Sequence, residues 1–523
     1  MGSLPRIVVV WGLLALAGCI SIGSRAMEEV STERINPDPQ AVRSPVRAFL
    51  ADGSVVVFPS GSQISSAAIS GSGQRYDLHR TLVGSADRVA LDSVVGIEAF
   101  TRETDVGFSL LASIGATAVV VAGTVALLCA MDPKCFGSCP TVYVLEEDGE
   151  VLEAELFSYS ISPLLESRDV DRLAVVPDAL GTVALEIRNE ALETHYINHL
   201  ELLEVRHRPG QRVVPGPDQV PVVLGPLLEI PGIRDRSGRD VTAELRGRDD
   251  RAFGSTPERV AAVTEEDSRD WIEFTLPAVA GDTAGLFLRV RNSLLTTVLF
   301  YEFILGSQGA RALDWMARDI EQIGTALELG TWYHRTMGLR LEVDLGDGFR
   351  EVGRLADTGP IAWNEVALPV PVRPGRPTPV RLSFLADAWR IDRLAWSPEV
   401  GPAPVRVHPV AEVEPLRGGE PDDLRERLLA PDDRYVVTSA GTAFTVRFHP
   451  GLADRDEAAG TRTFLLASQG YYSEWVRPDW IRSARSPEPF RPSAALLPAL
   501  MERWSELRAP MEESFHATRI PVR

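Results

Sequence analysis

From residue 46 onward the chain is organised by short runs in which apolar and polar positions alternate. The segment "VRAFLADGSVVVF" (46–58) holds two such runs around Ala51-Asp52-Gly53, a strong hairpin signal. "ISGSGQRYDL" (69–78) and "RVALDSVVGIEAF" (88–100) add strands, so residues 45–105 read as a small, strongly bent sheet or barrel. Period-two runs return in "VALEIRNEALETHYINHLELLEVRH" (183–207), which predicts two strands meeting near Asn189-Glu190. "DWIEFTLP" (270–277), "AGLFLRVRNSLLTTVLFYEFIL" (284–305), "LRLEVDLGDGFREVGRL" (339–355) and "TPVRLSFLADAWRIDRLAW" (378–396) continue as strands. Helical spacing appears in "ARALDWMARDIEQIGTALEL" (310–329) and in "SAALLPALMERWSEL" (493–507), which predict amphipathic helices. The fold class is therefore mainly β: several β-sandwich or small-barrel modules, one long apolar helix and one or two amphipathic helices.

The long apolar helix is expected at 106–131, a stretch without charge between Asp105 and Asp132. Its length suits a transmembrane span, and Ala118, Ala122, Ala126 and Ala130 would form one small-residue stripe. A buried helix or hairpin docked on the β domains is the other reading. The remaining divisions are a β-rich module at 132–305, a helix plus β-sandwich module at 306–400, a Pro/Gly-rich linker at 401–430 and a C-terminal β module with terminal helix at 431–523.

The first residues, "MGSLPRIVVVWGLLALAGC", have a short basic start, an apolar run at 7–16 and small residues before Cys19. That layout is a secretory signal peptide at 1–18, with a polar tether at 19–44. Leu16-Ala17-Gly18-Cys19 resembles the lipobox of bacterial lipoproteins. The resemblance implies cleavage before Cys19, a diacylglycerol thioether on its sulfur and several acyl chains, enough for stable anchoring. In enterobacteria Ile20 after the cysteine would not retain a lipoprotein in the inner membrane, which tilts the expectation to the outer one. A second resemblance lies in "SCPTVYV" (138–144), "EEDGEVLEAELFSYSI" (146–161) and 183–207. It is similar to a module of uncharacterised bacterial envelope proteins, specific only around 138–207, and implies an envelope location and β-sandwich modules but no catalytic residues.

Composition narrows the partners. The formal charge is −20 with 73 acids against 53 bases, which opposes binding to nucleic acid and anionic lipid surfaces. With Cys19 carrying lipid, Cys129, Cys135 and Cys139 remain. Cys135 and Cys139 have no second pair or nearby histidine for zinc and no thioredoxin spacing. A local Cys135–Cys139 disulfide is the expected pairing outside the cytosol. His195 and His199 share a strand face rather than a zincin helix, and "DLGDG" (344–348) is a hairpin turn rather than a calcium loop. No metal or cofactor is expected. Trp389, Trp396, Tyr471, Tyr472, Trp475 and Trp480 cluster late in the chain, as core residues or as a flat platform for sugars. The function expected is a lipid-anchored envelope protein with no catalytic residue assigned. It would contact the membrane through its lipid and, if inserted, through 106–131, and would bind or scaffold envelope proteins or glycans. The alternative is an envelope hydrolase of polysaccharide or peptidoglycan, which would show two carboxylates in one pocket.

Overall fold

Strands that bury one face and wet the other need a second sheet to cover them. The computed structural model, which describes residues 39–77, 81–100, 139–146, 149–249, 251–417, 423–452, 460–485 and 488–517, shows how this chain supplies one. It is mainly β, and the strand pairs among the described residues are antiparallel.

The N-terminal unit follows the expected hairpin. Val46–Leu50 and Val55–Phe58 pair across the turn, where Gly53 takes a φ of 82° that suits glycine. Two sheets, of four and five strands, wrap around Val46, Phe58, Ile69 and Ile97. This is a small barrel-like body.

A first sandwich is built from residues far apart in the chain. One sheet runs in the order Gly149–Glu155, Thr141–Glu146, Val183–Arg188, Ala443–Phe448, Glu412–Arg417. The facing sheet runs Ser167–Leu173, Thr461–Glu474, Glu193–His207, Val405–Pro409, with Val436–Ser439 also on Glu193–His207. Leu185, Ile187, Leu200, Leu202, Val446 and Leu466 fill the space between them. Residues 401–430, expected as a linker, instead contribute strands to both sheets, because Val413 and Val446 oppose each other in register and cover the same core. Strand Val183–Arg188 and strand Glu193–His207 are consecutive yet lie in opposite sheets.

A second sandwich is inserted between the first sandwich's strands. Its sheets are Leu228–Glu229, Trp389–Ser397, Thr283–Asn292, Asn364–Pro371 and Arg234–Asp235, Arg269–Leu276, Thr378–Leu385, Leu339–Asp344, Phe349–Leu355. Strict alternation is plain in Leu339–Asp344, where Leu339, Leu341 and Val343 are buried. The "DLGDG" segment is the hairpin turn expected, with the Gly346 and Gly348 amides donating to Asp344 Oδ1 at 2.7 and 3.1 Å. A three-stranded sheet of Arg212–Pro215, Pro221–Leu224 and Val400–Pro402 lies where the chain enters and leaves the insert.

One correction concerns residues 295–305, read above as the end of a strand. They are helical, with Leu295–Val298 an α-turn and Leu299–Leu305 widened to a π-helix. The Gly306 amide bonds back five residues to the Tyr301 carbonyl. A Cβ at Gly306 would sit 2.4 Å from that oxygen, so the widened turn needs glycine there. The helix expected at 310–329 is also broken: Arg311–Asp314 is α, Trp315–Asp319 is π, and a separate helix runs Ile323–Met337. The expected 106–131 helix lies outside the described residues. Among those described, no helix is long and apolar enough to cross a membrane, which leaves strand-built spans untouched.

The C-terminal helix Leu497–His516 extends beyond the expected segment and docks on the inserted sandwich. Its docking point is Asp387, fully buried at a φ of 62°. The Asp387 carboxylate accepts from the Ser255 amide at 3.1 Å, Arg390 Nη1 at 2.7 Å and the Trp504 indole N–H at 2.7 Å. Asp387→Ala leaves the Arg390 charge and the Trp504 N–H without that acceptor in the interior, a loss on the order of 3–5 kcal/mol. Thermal denaturation should show a clearly lower midpoint and limited proteolysis should cut the C-terminal helix first. A variant with unchanged melting and cleavage would remove Asp387 as the docking point.

Candidate functional site

Where the insert's helices lie against the first sandwich, the fit is incomplete and a cavity of about 330 Å³ remains. The first sandwich supplies Ser158, Tyr159 and Tyr472; the helical turns supply Thr296, Phe300, Tyr301 and Ile304. The remaining wall comes from the helix Ile323–Met337, through Leu329, Gly330, Tyr333 and His334, and from the loop at 356–360. The π-helical widening at Leu299–Leu305 sets Phe300, Tyr301 and Ile304 on the cavity. Its volume is in the range of small-molecule sites, and its lining is mostly apolar and aromatic, as such sites are.

Among the described residues one carboxylate reaches the cavity, that of Asp357. Its oxygens accept from the Tyr333 hydroxyl at 2.7 Å, the Ser158 hydroxyl at 3.2 Å and the Gly359 amide at 2.9 Å. Tyr472 in turn donates its hydroxyl to the Ser158 carbonyl at 2.9 Å. Asp357 thus ties the first sandwich to the insert's helix. Burial raises its carboxyl above the ordinary range despite those donors. Tyr159 is pushed up to about 12, by burial first and then by the charge of Asp169. His334, at the cavity edge, is lowered by burial and then by Arg354, which favours a neutral ring.

Behind the Tyr301 wall is a buried acid pair. Glu193 and Glu474 are cross-strand partners, directly opposite in register. Like charges at that spacing repel. Glu193 Oε1 accepts from the Cys139 amide at 2.8 Å and meets His195 Nε2 at 2.5 Å. Glu474 is pushed up to about 8, by burial first and then by Glu193; Arg477, with Nη2 at 3.8 Å, offsets only part of this. A proton on Glu474 turns the repulsion into a hydrogen bond, so the pair holds one negative charge. In the unfolded chain Glu474 titrates near 4.5, so between there and about 8 the folded state binds the extra proton. Stability from this group is therefore full at low pH and lost as pH rises through that window. Denaturation midpoints should fall from pH 5 to pH 8 in the wild type and fall distinctly less in Glu474→Gln. Equal slopes would show that the pair does not share a proton.

The residues singled out in the sequence are placed as follows. Cys19 and Cys135 lie outside the described residues. Cys139 is buried at the entrance to strand Thr141–Glu146, with a φ of 106° and its sulfur 3.5 Å from Glu155 Oε1. Trp389, Trp396, Tyr471, Tyr472, Trp475 and Trp480 are all 5% exposed or less, so they form no surface platform for sugars. Their partners explain this. Trp389 donates to the Met337 carbonyl at 2.7 Å, Trp475 stacks on Phe49 with ring centres 3.7 Å apart, and Tyr471 stacks on Tyr196 at 4.5 Å. Tyr472 alone of the six lines the cavity. His195 and His199 lie on a strand, with a register shift between Ile197 and His199. Among the described residues no group of three or more histidines, cysteines or acids is arranged to hold a metal ion. Asp357, Tyr333, Phe300 and Tyr301 were not foreseen, because they meet only through the insertion.

No family model matches the chain, and no curated protein matches it. Among solved structures, an allantoicase is similar at 12% identity over 50% of this chain and 91% of its own, with a TM-score of 0.18. The secreted serine protease VesC from Vibrio cholerae is similar at 9% identity over 49% of this chain and 60% of its own, with a TM-score of 0.16. A GH31 alpha-xylosidase from Xanthomonas citri is similar at 10% identity, covering 83% of this chain and 38% of its own, with a TM-score of 0.16. Likenesses this slight carry no argument about fold or function.

Proposed function

We propose that this is a lipid-anchored protein of the bacterial cell envelope, favouring the outer membrane, whose β body binds a small, largely apolar ligand. The observation that carries the binding reading is the cavity of about 330 Å³ between sandwich and insert, walled by aromatic and aliphatic side chains. The anchoring rests on the lipobox-like Leu16-Ala17-Gly18-Cys19 that follows an apolar run. The hydrolase alternative draws no support from this cavity. Glycoside hydrolysis needs an acid and a second carboxylate facing one space, and among the described residues Asp357 is the one acid lining it.

Two measurements test this reading. Metabolic labelling with a tagged fatty acid should mark the wild type and leave Cys19→Ser unmarked; equal labelling would refute the anchor. For the cavity, the neutral fluorescent probe N-phenyl-1-naphthylamine should bind the purified full-length protein. Gly330 faces the cavity from mid-helix, and a Cβ there meets only Leu165 Cδ2, at 3.5 Å. Gly330→Trp therefore puts an indole into the cavity while removing a glycine from a helix interior, a change that favours the helix by roughly 0.3–0.5 kcal/mol. Probe affinity should drop at least about tenfold in that variant without loss of thermal stability. Undiminished probe binding would place the ligand elsewhere.

A further inference from the structure

The chemical class of the ligand follows from what the cavity contains and what it omits, an inference that rests on the ligand-binding reading above. Five aromatic rings reach it: Tyr159, Phe300, Tyr301, Tyr333 and Tyr472, the first from the sandwich's approach to the insert and the last from its long strand. Asp357 presents its carboxylate on the same surface, and its donors are two hydroxyls and an amide, none of them charged. Among the described residues no lysine or arginine lines the cavity. The nearby cations are engaged elsewhere. Arg354 holds Glu351 with Nε and Nη2, both at 2.8 Å, and Arg477 lies over the Tyr301 ring, 4.3 Å from its centre and beside Glu474. His334 is the one basic side chain among the described residues of the lining.

Two further acids stand close by, and burial raises both carboxyls, Asp169 to about 6 and Asp171 well above the ordinary range. Asp169 accepts from the Phe157 and Val170 amides at 2.8 and 3.0 Å, one residue from Ser158. Asp171 follows on the same strand face, 4% exposed, with Oδ2 buried and no hydrogen-bond partner. The charge of Asp357 adds to the rise at Asp169. An aromatic-walled space with an acid lacking a cationic partner attracts a positive, apolar group: the ring faces and the carboxylate act on it together.

We infer that the cavity binds an organic cation, an alkyl- or arylalkyl-ammonium group whose charge sits against Asp357 and whose apolar body lies among the rings of Phe300, Tyr301, Tyr333 and Tyr472. The carboxylate supplies the charge preference and the rings supply affinity. An anion is disfavoured by the Asp357 carboxylate, and a neutral alcohol of equal shape gains only the apolar contacts.

A matched series separates these cases: 4-phenylbutylamine, 4-phenylbutanol and 4-phenylbutyrate, measured by displacement of N-phenyl-1-naphthylamine from the purified full-length protein at neutral pH. The amine should bind at least tenfold more tightly than the alcohol, with the butyrate weakest. In Asp357→Asn the amine should fall to within about twofold of the alcohol measured on that same variant. The wild-type ratio stands by itself should the variant fail to fold. Equal binding of amine and alcohol, a preference for butyrate, or uptake of the naphthylamine without binding of the amine would overturn the cation assignment while leaving the cavity as a ligand site. Failure of the series and of the naphthylamine alike would overturn the ligand-binding reading itself.

Discussion

The structure depends on one long antiparallel ladder, between Glu193–His207 and Thr461–Glu474. It pairs segments separated by the whole inserted sandwich, so forming it closes a very long loop. The entropic cost of closure grows only slowly with length, which makes such an insertion tolerable at equilibrium while slowing the search for the native pairing. Everything that follows is placed by that ladder. It carries Tyr471 onto Tyr196, brings Tyr472 beneath the insert's helices, and delivers Trp475 to Phe49 of the N-terminal barrel. The same strand's continuation pairs Val476 with Ile97, so the barrel and the sandwich share backbone hydrogen bonds.

Buried acids are the second recurring device. At two other junctions a carboxylate accepts backbone N–H groups. Asp314 takes the Ser44 amide at 2.8 Å, holding the barrel to the helical insertion. Glu155 takes the Ile361 and Ala362 amides at 2.7 and 2.8 Å, holding the sandwich to the loop beside the cavity. A charged acceptor is well suited to this task, since one side chain satisfies two donors with stronger bonds than a neutral group would give. Asp357 departs from the pattern. Two of its three donors are hydroxyls, and it keeps part of its surface on the cavity.

How much of this was legible in the sequence depends on distance along the chain. The 46–58 hairpin, the 339–355 hairpin and the C-terminal helix were readable because turn residues and periodicity act locally. Residues 295–305 were misread for a physical reason: "LTTVLFYEFIL" is rich in β-branched and aromatic residues, and is packed on several sides by sandwich and insert, so neither propensity nor periodicity points to a helix. The π turns compound this by breaking the 3.6-residue spacing that would have marked one face. Residues 401–430 looked like a linker because prolines and glycines punctuate them, yet short edge strands tolerate both. The late aromatics were visible as a cluster, but whether a ring faces water or a second sheet is decided by nesting, which no local pattern records.

The cavity belongs to neither sandwich alone, and that has an energetic consequence. Ser158 and Tyr472 come from one folding unit, Tyr333 and Phe300 from the other, and Asp357 bonds to both Ser158 and Tyr333. A ligand among them therefore contacts both units at once and is bound only while they are docked. Its binding free energy adds to the docking energy, by about 2.7 kcal/mol when the ligand is at a hundred times its dissociation constant. Such an increment matters because an interface with an internal void forfeits packing contacts that a filled one retains. The defect in the fit between host and insert is thus the feature that gives a ligand leverage over the arrangement of the two sandwiches.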